Sequence, residues 1–240
     1  MKRSHYPLPT FEEIVPELHN AKIFSTFDAR SGFWQIKLTE ESSYLTTFNT
    51  PFGRYRWLRL PFGISSASEE YQRRMADALA GLDGIKVFID DILVYGSGDN
   101  LQEAMIDHDK KVEQLFRRLK ALNIKLNPEK VQYKKSQLKY MGHVISSEGV
   151  QIDEDKIRAI QEIKEPTNVK ELRTLLGMVN YLAKFIENLS EKSHLLRELI
   201  KNDTKWNWTE AHSKVFQDLK KIIGNTKTLK YFNPQEPVTI

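Results

Sequence analysis

Two adjacent carboxylates, Asp90 and Asp91, stand inside an otherwise apolar, β-rich run, Val87-Phe88-Ile89-Asp90-Asp91-Ile92-Leu93-Val94. No other feature constrains the fold so tightly. Unit charges about 4 Å apart repel by roughly 4 kcal/mol at an effective dielectric near 20. Such a pair raises a pKa or takes up a cation. A tight hairpin turn between Ile85–Val87 and Ile92–Tyr95 would let both side chains leave the sheet at its edge. Taken alone, an Asp-Asp pair is more often a solvated turn, where Asp is common.

Asp28 shifts that balance. It follows a second short apolar strand, Ile23-Phe24-Ser25-Thr26-Phe27, so two strand ends can sit side by side in one sheet and gather three carboxylates. Hard divalent ions prefer oxygen ligands, and Mg²⁺ takes one or two carboxylates together with substrate phosphates. Two such ions serve an in-line phosphoryl displacement. The six histidines are scattered, without His-x-x-x-His spacing, which disfavours zinc or iron. With no cysteine, a disulfide framework and a zinc–thiolate site are excluded, and the chain suits a reducing, intracellular and cytoplasmic setting.

The 240 residues allow one large core plus a satellite domain. No run reaches the roughly 20 apolar residues of a membrane span, so no membrane partner is expected, and no secretory signal follows the first residues. The net charge is +4, and residues 101–150 carry ten Lys/Arg against six Asp/Glu. That excess suits phosphate backbones, and equally a solvated helix face.

Along the chain, Phe11, Ile14, Val15 and Leu18 have helical spacing. Tyr44–Asn49 and Tyr55–Leu60 predict a hairpin around Pro51-Phe52-Gly53. Ser66 and Glu69 have capping-box spacing ahead of a helix with Tyr71, Met75, Leu79 and Leu82 on one face. Residues 101–122 predict an amphipathic helix with Met105, Val112, Leu115, Phe116 and Leu119 inward, and Leu138–Ile145 predicts a strand. Beyond Gly149 the period becomes helical, with one helix ending before Pro166 and another over Thr167–Leu189. A new element begins at Trp206, and Thr239-Ile240 has the look of a strand cut short.

Five blocks then carry a family resemblance: Phe24-Ser25-Thr26-Phe27-Asp28-Ala29-Arg30-Ser31-Gly32-Phe33-Trp34-Gln35-Ile36; Leu60-Pro61-Phe62-Gly63; Phe88-Ile89-Asp90-Asp91; Leu126-Asn127-Pro128-Glu129-Lys130; and Tyr140-Met141-Gly142-His143-Val144-Ile145-Ser146. In this order and spacing the chain resembles the reverse transcriptases of gypsy-type long-terminal-repeat retrotransposons and their retroviral relatives. The likeness runs on through Glu171–Gly177 to Trp206. It implies an α+β fold: a polymerase palm, an antiparallel sheet with packed helices, followed by a small helical thumb, as a truncated right hand. The implied domains are 1–148, palm with a remnant of fingers; 149–205, thumb; and 206–240, the start of a connection leading to an absent RNase H domain.

By the same resemblance, Asp28, Asp90 and Asp91 match catalytic and metal-binding aspartates that hold two Mg²⁺ ions, with Mn²⁺ as a substitute. One ion lowers the pKa of a primer 3′-hydroxyl and the other carries pyrophosphate away. Ala29 would line the triphosphate. Phe33 matches an aromatic steric gate that favours deoxynucleotides, although its residue type alone suits core packing. Phe62 and Gly63 match a loop that touches nucleotide and template. Met141 and Gly142 match the primer grip. Lys130 lies near a lysine that acts on the leaving pyrophosphate, with a plain solvated lysine as the other reading. Phe88 stands where the family usually has Tyr. The implied partners are an RNA or DNA template with primer, deoxynucleoside triphosphates, and the fingers and RNase H parts of the same polyprotein, in the cytoplasm or a virus-like particle.

The family begins well upstream of Tyr6-Pro7-Leu8-Pro9, with finger strands whose Lys and Arg hold the triphosphate. The expectation is therefore an excerpt of a polyprotein or a degenerate copy, with weakened nucleotide binding. Against RNA-directed DNA polymerase stands a non-catalytic remnant that at most binds nucleic acid. A cyclase with the same palm would not require the Tyr140-Met141-Gly142 block.

Overall fold

The computed structural model describes residues 5–201, 204–226 and 228–231. These fall into two compact units, residues 5–141 with Tyr231, and residues 142–230.

In the first unit, α1 (Phe11–Ile14) and a 3₁₀ turn lead into β1 (Ala21–Asp28). Every β1 residue from Ile23 to Phe27 is buried, including Ser25 and Thr26, as expected of a central strand covered on both faces. Next come α2 (Gly32–Gln35), α3 (Glu40–Tyr44) and a short hairpin of β2 (Phe48–Thr50) and β3 (Gly53–Tyr55). The expected strands there were longer. Tyr44 instead ends a helix capped by Thr39, whose side chain accepts from Ser42 N–H, and the ladder stops at Phe48↔Tyr55.

The next elements are α4 (Ala67–Leu79), β4 (Ile85–Phe88), β5 (Asp91–Ser97), α5 (Leu101–Ala121), β6 (Gln132–Lys135) and β7 (Gln137–Tyr140). The predicted capping box at Ser66 is not made, since the Ser66 side chain takes no cap hydrogen bond. The sheet order is β4-β5-β1-β6, antiparallel at each junction. Tyr71, Met75 and Leu79 of α4, and Val112, Leu115 and Leu119 of α5, share one core with Phe27, Ile92 and Val94 of the sheet. Each fully buried large side chain of this kind contributes about 1.5–3 kcal/mol. Met105 and Phe116, expected inward, are 37% and 45% exposed. The buried stripe of α5 is instead Ala104, His108, Val112, Leu115 and Leu119. The polar His108 turns inward because Ser25 on β1 supplies a partner, 2.8 Å away.

The second unit opens with a hairpin of β8 (His143–Ser146) and β9 (Gly149–Ile152). Leu138–Ile145 is thus no continuous strand. Met141 (φ 48°) and Gly142 (φ 73°) form a turn between β7 and β8. Helices α6 (Glu154–Glu162), α7 (Val169–Tyr181), α8 (Leu189–Lys192), α9 (His194–Glu198) and α10 (Glu210–Gly224) follow. Asn168 caps α7 by accepting from Glu171 N–H. The predicted helix over Thr167–Leu189 therefore starts at its cap and ends early, at Tyr181, passing into a 3₁₀ turn and α8. Leu172, Leu176, Leu182, Leu196, Phe216 and Ile223 form the core of this unit.

The expected boundary near Glu148-Gly149 and the segment read as 206–240 both meet a different division. Val150 and Leu229 exchange backbone hydrogen bonds of 2.8 Å, which ties β9 to the chain beyond α10. Trp206 and Trp208 pack against the same core as α6 and α7. The cut falls after Met141, and residues 206–230 belong with the helices before them. Thr239-Ile240 lies outside the described residues. Among the described residues, no helix is long and apolar enough to cross a membrane.

Candidate active site

The β1–β5 ladder runs from Ala21↔Ser97 to Asp28↔Asp91, and the β4–β5 ladder ends at Phe88↔Asp91. Partners in an antiparallel pair lie about 4.5–5.5 Å apart at Cα. Ile89 and Asp90 form the two-residue loop, and Ala29 N–H donates to the Asp90 carbonyl at 2.8 Å. Asp28, Asp90 and Asp91 therefore meet at one end of the sheet, as the two strand ends predict.

The turn itself is strained. Ile89 has φ 52°, and a β-branched residue at positive φ is a genuine outlier. A two-residue hairpin loop with positive φ only at its first position normally carries Gly there. Holding Ile in this conformation costs about 1–3 kcal/mol.

Electrostatics at the sheet end follow from crowding. Burial, then the charges of Asp28 and Asp91, push the Asp90 carboxyl above the ordinary range, against a hydrogen-bonding pull from Tyr71. Asp91 is raised by loss of surrounding water and then by Asp28. Both shifts come first from burial and then from crowding of like charge. Asp28 has found one counter-ion, for Lys130 Nζ donates to its Oδ2 at 2.9 Å. Asp90 Oδ1 is buried, with the Tyr71 hydroxyl as its polar neighbour. Among the described residues, no three acidic, His or Cys side chains are grouped ready to enclose a metal. Like charges splay apart, and Asp28 is turned toward Lys130. The donor set is nonetheless all carboxylate oxygen, the chemistry of Mg²⁺ or Mn²⁺ rather than zinc, and the crowded, raised Asp90 and Asp91 carboxyls suit a cation. An open cleft of about 520 Å³ runs past Asp28, Asp91, Lys130 and Lys139.

The other sequence candidates are distributed as follows. The Ala29 side chain is buried, and its N–H is taken up by Asp90 rather than directed to a ligand. Phe33 is 8% exposed, its ring 5.1 Å from both Phe62 and Tyr71, so it packs as core while forming the floor beneath an exposed Phe62. Gly63 has φ 84° with open space around it, a conformation that favours glycine. The Met141-Gly142 turn follows directly on β7, which packs against β1.

Three neighbours escaped the sequence reading. Gly32 lies so close that an added Cβ would overlap Asp90 Oδ1 and the Tyr71 hydroxyl. The Tyr71 hydroxyl is buried beside the Asp90 carboxylate, and burial, the Asp90 charge and a hydrogen bond to Asp90 push its pKa up. Gln72, 2% exposed, bonds twice to the β4 side of the turn, at the Val87 carbonyl and the Ile89 N–H. Tyr71 did appear as an inward helix position. A tyrosine, rather than a phenylalanine, at such a position is the one signal that could have marked it. Gln72 carries no such mark in the sequence.

Comparison with known proteins agrees with this geometry. Residues 1–145 match the family model "Reverse transcriptase (RNA-dependent DNA polymerase)". Over 97% of its length the chain is 30% identical to the Transposon Tf2-3 and Tf2-7 polyproteins of Schizosaccharomyces pombe, and spans 17% of each. Among solved structures it is similar to a foamy viral protease-reverse transcriptase in complex with double-stranded DNA (TM-score 0.87, 24% identity, 98% of this chain and 41% of that one). It is also similar to a foamy viral protease-reverse transcriptase in complex with an RNA/DNA hybrid (TM-score 0.81, 25% identity, 98% and 32%). With the three aspartates at one sheet end and more than half of the chain matched, this protein belongs to the reverse transcriptase family.

Proposed function

We propose that this chain carries the nucleotidyl-transfer centre of an RNA-directed DNA polymerase from a long-terminal-repeat retrotransposon, extending a primer 3′ end on an RNA or DNA template with deoxynucleoside triphosphates. The observation that carries this reading is the meeting of Asp28, Asp90 and Asp91 at one sheet end, where burial and the neighbouring carboxylates raise Asp90.

Reverse transcriptases generally use divalent metal ions, and we assign two Mg²⁺, replaceable by Mn²⁺, to these carboxylates. When bound, such ions lower the pKa of a hydroxyl nucleophile and neutralise charge on a leaving oxygen. The chain's own residues do the rest. The aspartates supply the negative charge that recruits the ions, and a bound cation relieves the burial and repulsion that raise Asp90 and Asp91. Lys130, already at Asp28, supplies a positive charge on the cleft side where a pyrophosphate would leave. Phe33, braced by Tyr71, offers a rigid floor for a sugar lacking a 2′-hydroxyl. Phe62 and Gly63 present an open surface to nucleotide and template. Met141 and Gly142 hold the primer end. The basic excess across residues 101–150 suits duplex phosphates. The setting we propose is the cytoplasm.

Primer extension on an RNA template with Mg²⁺ tests the reading. It compares this chain, a longer segment of the polyprotein that also carries finger strands, and each with Asp90→Asn. The longer segment is expected to extend the primer, the short chain little or not at all, and Asp90→Asn to abolish extension. Equal extension by the longer Asp90→Asn protein would remove these aspartates from the reaction. A longer segment that binds primer–template but never extends it would favour the non-catalytic remnant, the reading to which the Lys130–Asp28 pair lends some support.

A further inference from the structure

We infer that Gln72 is a positioning residue for the metal site: it acts through the backbone of the Ile89-Asp90 turn and touches neither metal nor substrate. The inference rests on the divalent-metal reading of Asp28, Asp90 and Asp91 given above.

Gln72 sits on α4 with its side chain 2% exposed. Its Nε2 donates to the Val87 carbonyl at 2.9 Å, and its Oε1 accepts from Ile89 N–H at 2.6 Å. One planar amide thus spans the last residues of β4 and the first residue of the loop. Its two bonds fix the peptides on either side of Phe88, up to the N–H of the strained Ile89. On the far side of the loop, Ala29 N–H holds the Asp90 carbonyl, so the Asp90 backbone is anchored before and after. The loop would otherwise relax, because nothing intrinsic to Ile favours positive φ. Relaxation would rotate Asp90 relative to Asp28 and Asp91, whose Cα atoms the ladder already fixes.

A buried glutamine with both ends satisfied could also be a purely structural residue. The two roles differ in a way that can be measured. If Gln72 works by enforcing the turn, a residue that adopts the turn unaided makes it dispensable. Glycine at position 89 is such a residue, since positive φ costs it nothing.

The test is a Mn²⁺ titration of this chain, following bound against free ion by electron paramagnetic resonance, with circular dichroism as the fold control. Wild type, Asp90→Asn, Gln72→Met, Ile89→Gly and the double variant Gln72→Met/Ile89→Gly are compared. Gln72→Met keeps the volume and loses both hydrogen bonds. It is expected to weaken Mn²⁺ binding about 10–100-fold, the range for residues that orient metal ligands. The double variant is expected to recover to within a few-fold of Ile89→Gly alone. Wild-type affinity in folded Gln72→Met overturns the inference, as does a double variant no better than Gln72→Met. Should Gln72→Met fail to fold, Gln72→Glu replaces it. That variant keeps the acceptor for Ile89 N–H, loses the donor to Val87, and is expected to bind Mn²⁺ more weakly, with recovery on adding Ile89→Gly. If wild type binds no more Mn²⁺ than Asp90→Asn, the metal reading itself falls, an outcome distinct from a wild type that binds while Gln72→Met binds as well.

Discussion

At Asp90 the chain holds a charge that works against its own fold. Burial and the neighbouring carboxylates raise its pKa, so the folded chain binds this proton more tightly than the unfolded chain. Stability from this group therefore falls as pH rises from the ordinary carboxyl value of 3.8 through the raised folded value, and is lowest near neutrality. In metal-free buffer at pH 7, Asp90→Asn should melt at a higher temperature than wild type, with the gap closing toward pH 4. A lower melting temperature at pH 7 would contradict the repulsion account. Gly32 belongs to the same balance. Because an added Cβ would overlap the Asp90 carboxylate, Gly32→Ala should cost about 1–3 kcal/mol by overpacking. It should also lose divalent-ion binding, as read by thermal melting with and without Mn²⁺.

The elements around the site are held in place by a buried polar network as well as by apolar packing. Ser25 of β1 and His108 of α5 are both fully buried and 2.8 Å apart. Lys134 N–H on β6 donates to Ser25 Oγ at 2.9 Å, and Asp109 takes the Lys134 ammonium at 2.8 Å. Together these bonds fasten the edge strand that follows Lys130. Ser25→Ala leaves the Lys134 N–H and His108 Nε2 without a partner, and should cost about 1–3 kcal/mol in denaturant unfolding. Burial lowers the pKa of His108, though Asp109 pulls it upward and Lys134 opposes Asp109. The unfolded chain then takes up the proton first, so stability is lost as pH falls through the ordinary value of 6.5. His108→Gln should flatten that part of the pH–stability curve; an unchanged slope would clear His108 of this role. The same helix meets β5 at Gly96, where a side chain would run into the Ala104 carbonyl. That meeting explains why α5 turns its small Ala104 inward and leaves Met105 outside.

At the scale of the molecule, two cores are built separately, one around Phe27, Ile92 and Leu115, the other around Leu172, Leu176 and Phe216. Leu172, fully buried in the second, is the sharper probe of that division. Leu172→Ala should cost about 2–5 kcal/mol, and hydrogen exchange should rise across 142–230 more than across β1 and β5. A uniform rise would mean the units unfold as one. The net charge of +4 predicts, under the proposed function, primer–template binding that weakens steeply as salt rises.

The sequence by itself determined where the three acids gather. An apolar strand ending in Asp28 and an apolar hairpin turning at Asp90-Asp91 leave the acids few places to go but a common sheet edge, since side-chain period and turn geometry are local properties. It also determined the helical packing that runs from Glu154 onward, just past the strand β9 at Gly149–Ile152, because helical periodicity is written in consecutive residues. The tertiary structure alone decided which polar residues could be buried and what they hold. His108 goes inward because Ser25, 83 positions away, completes its hydrogen bond. Gln72 becomes a clamp only when α4 lies against the β4–β5 turn, 15 and 17 positions along the chain. Burying a polar side chain is unfavourable until its partner is in place, and that partner is fixed by packing between elements rather than by any run of neighbouring residues.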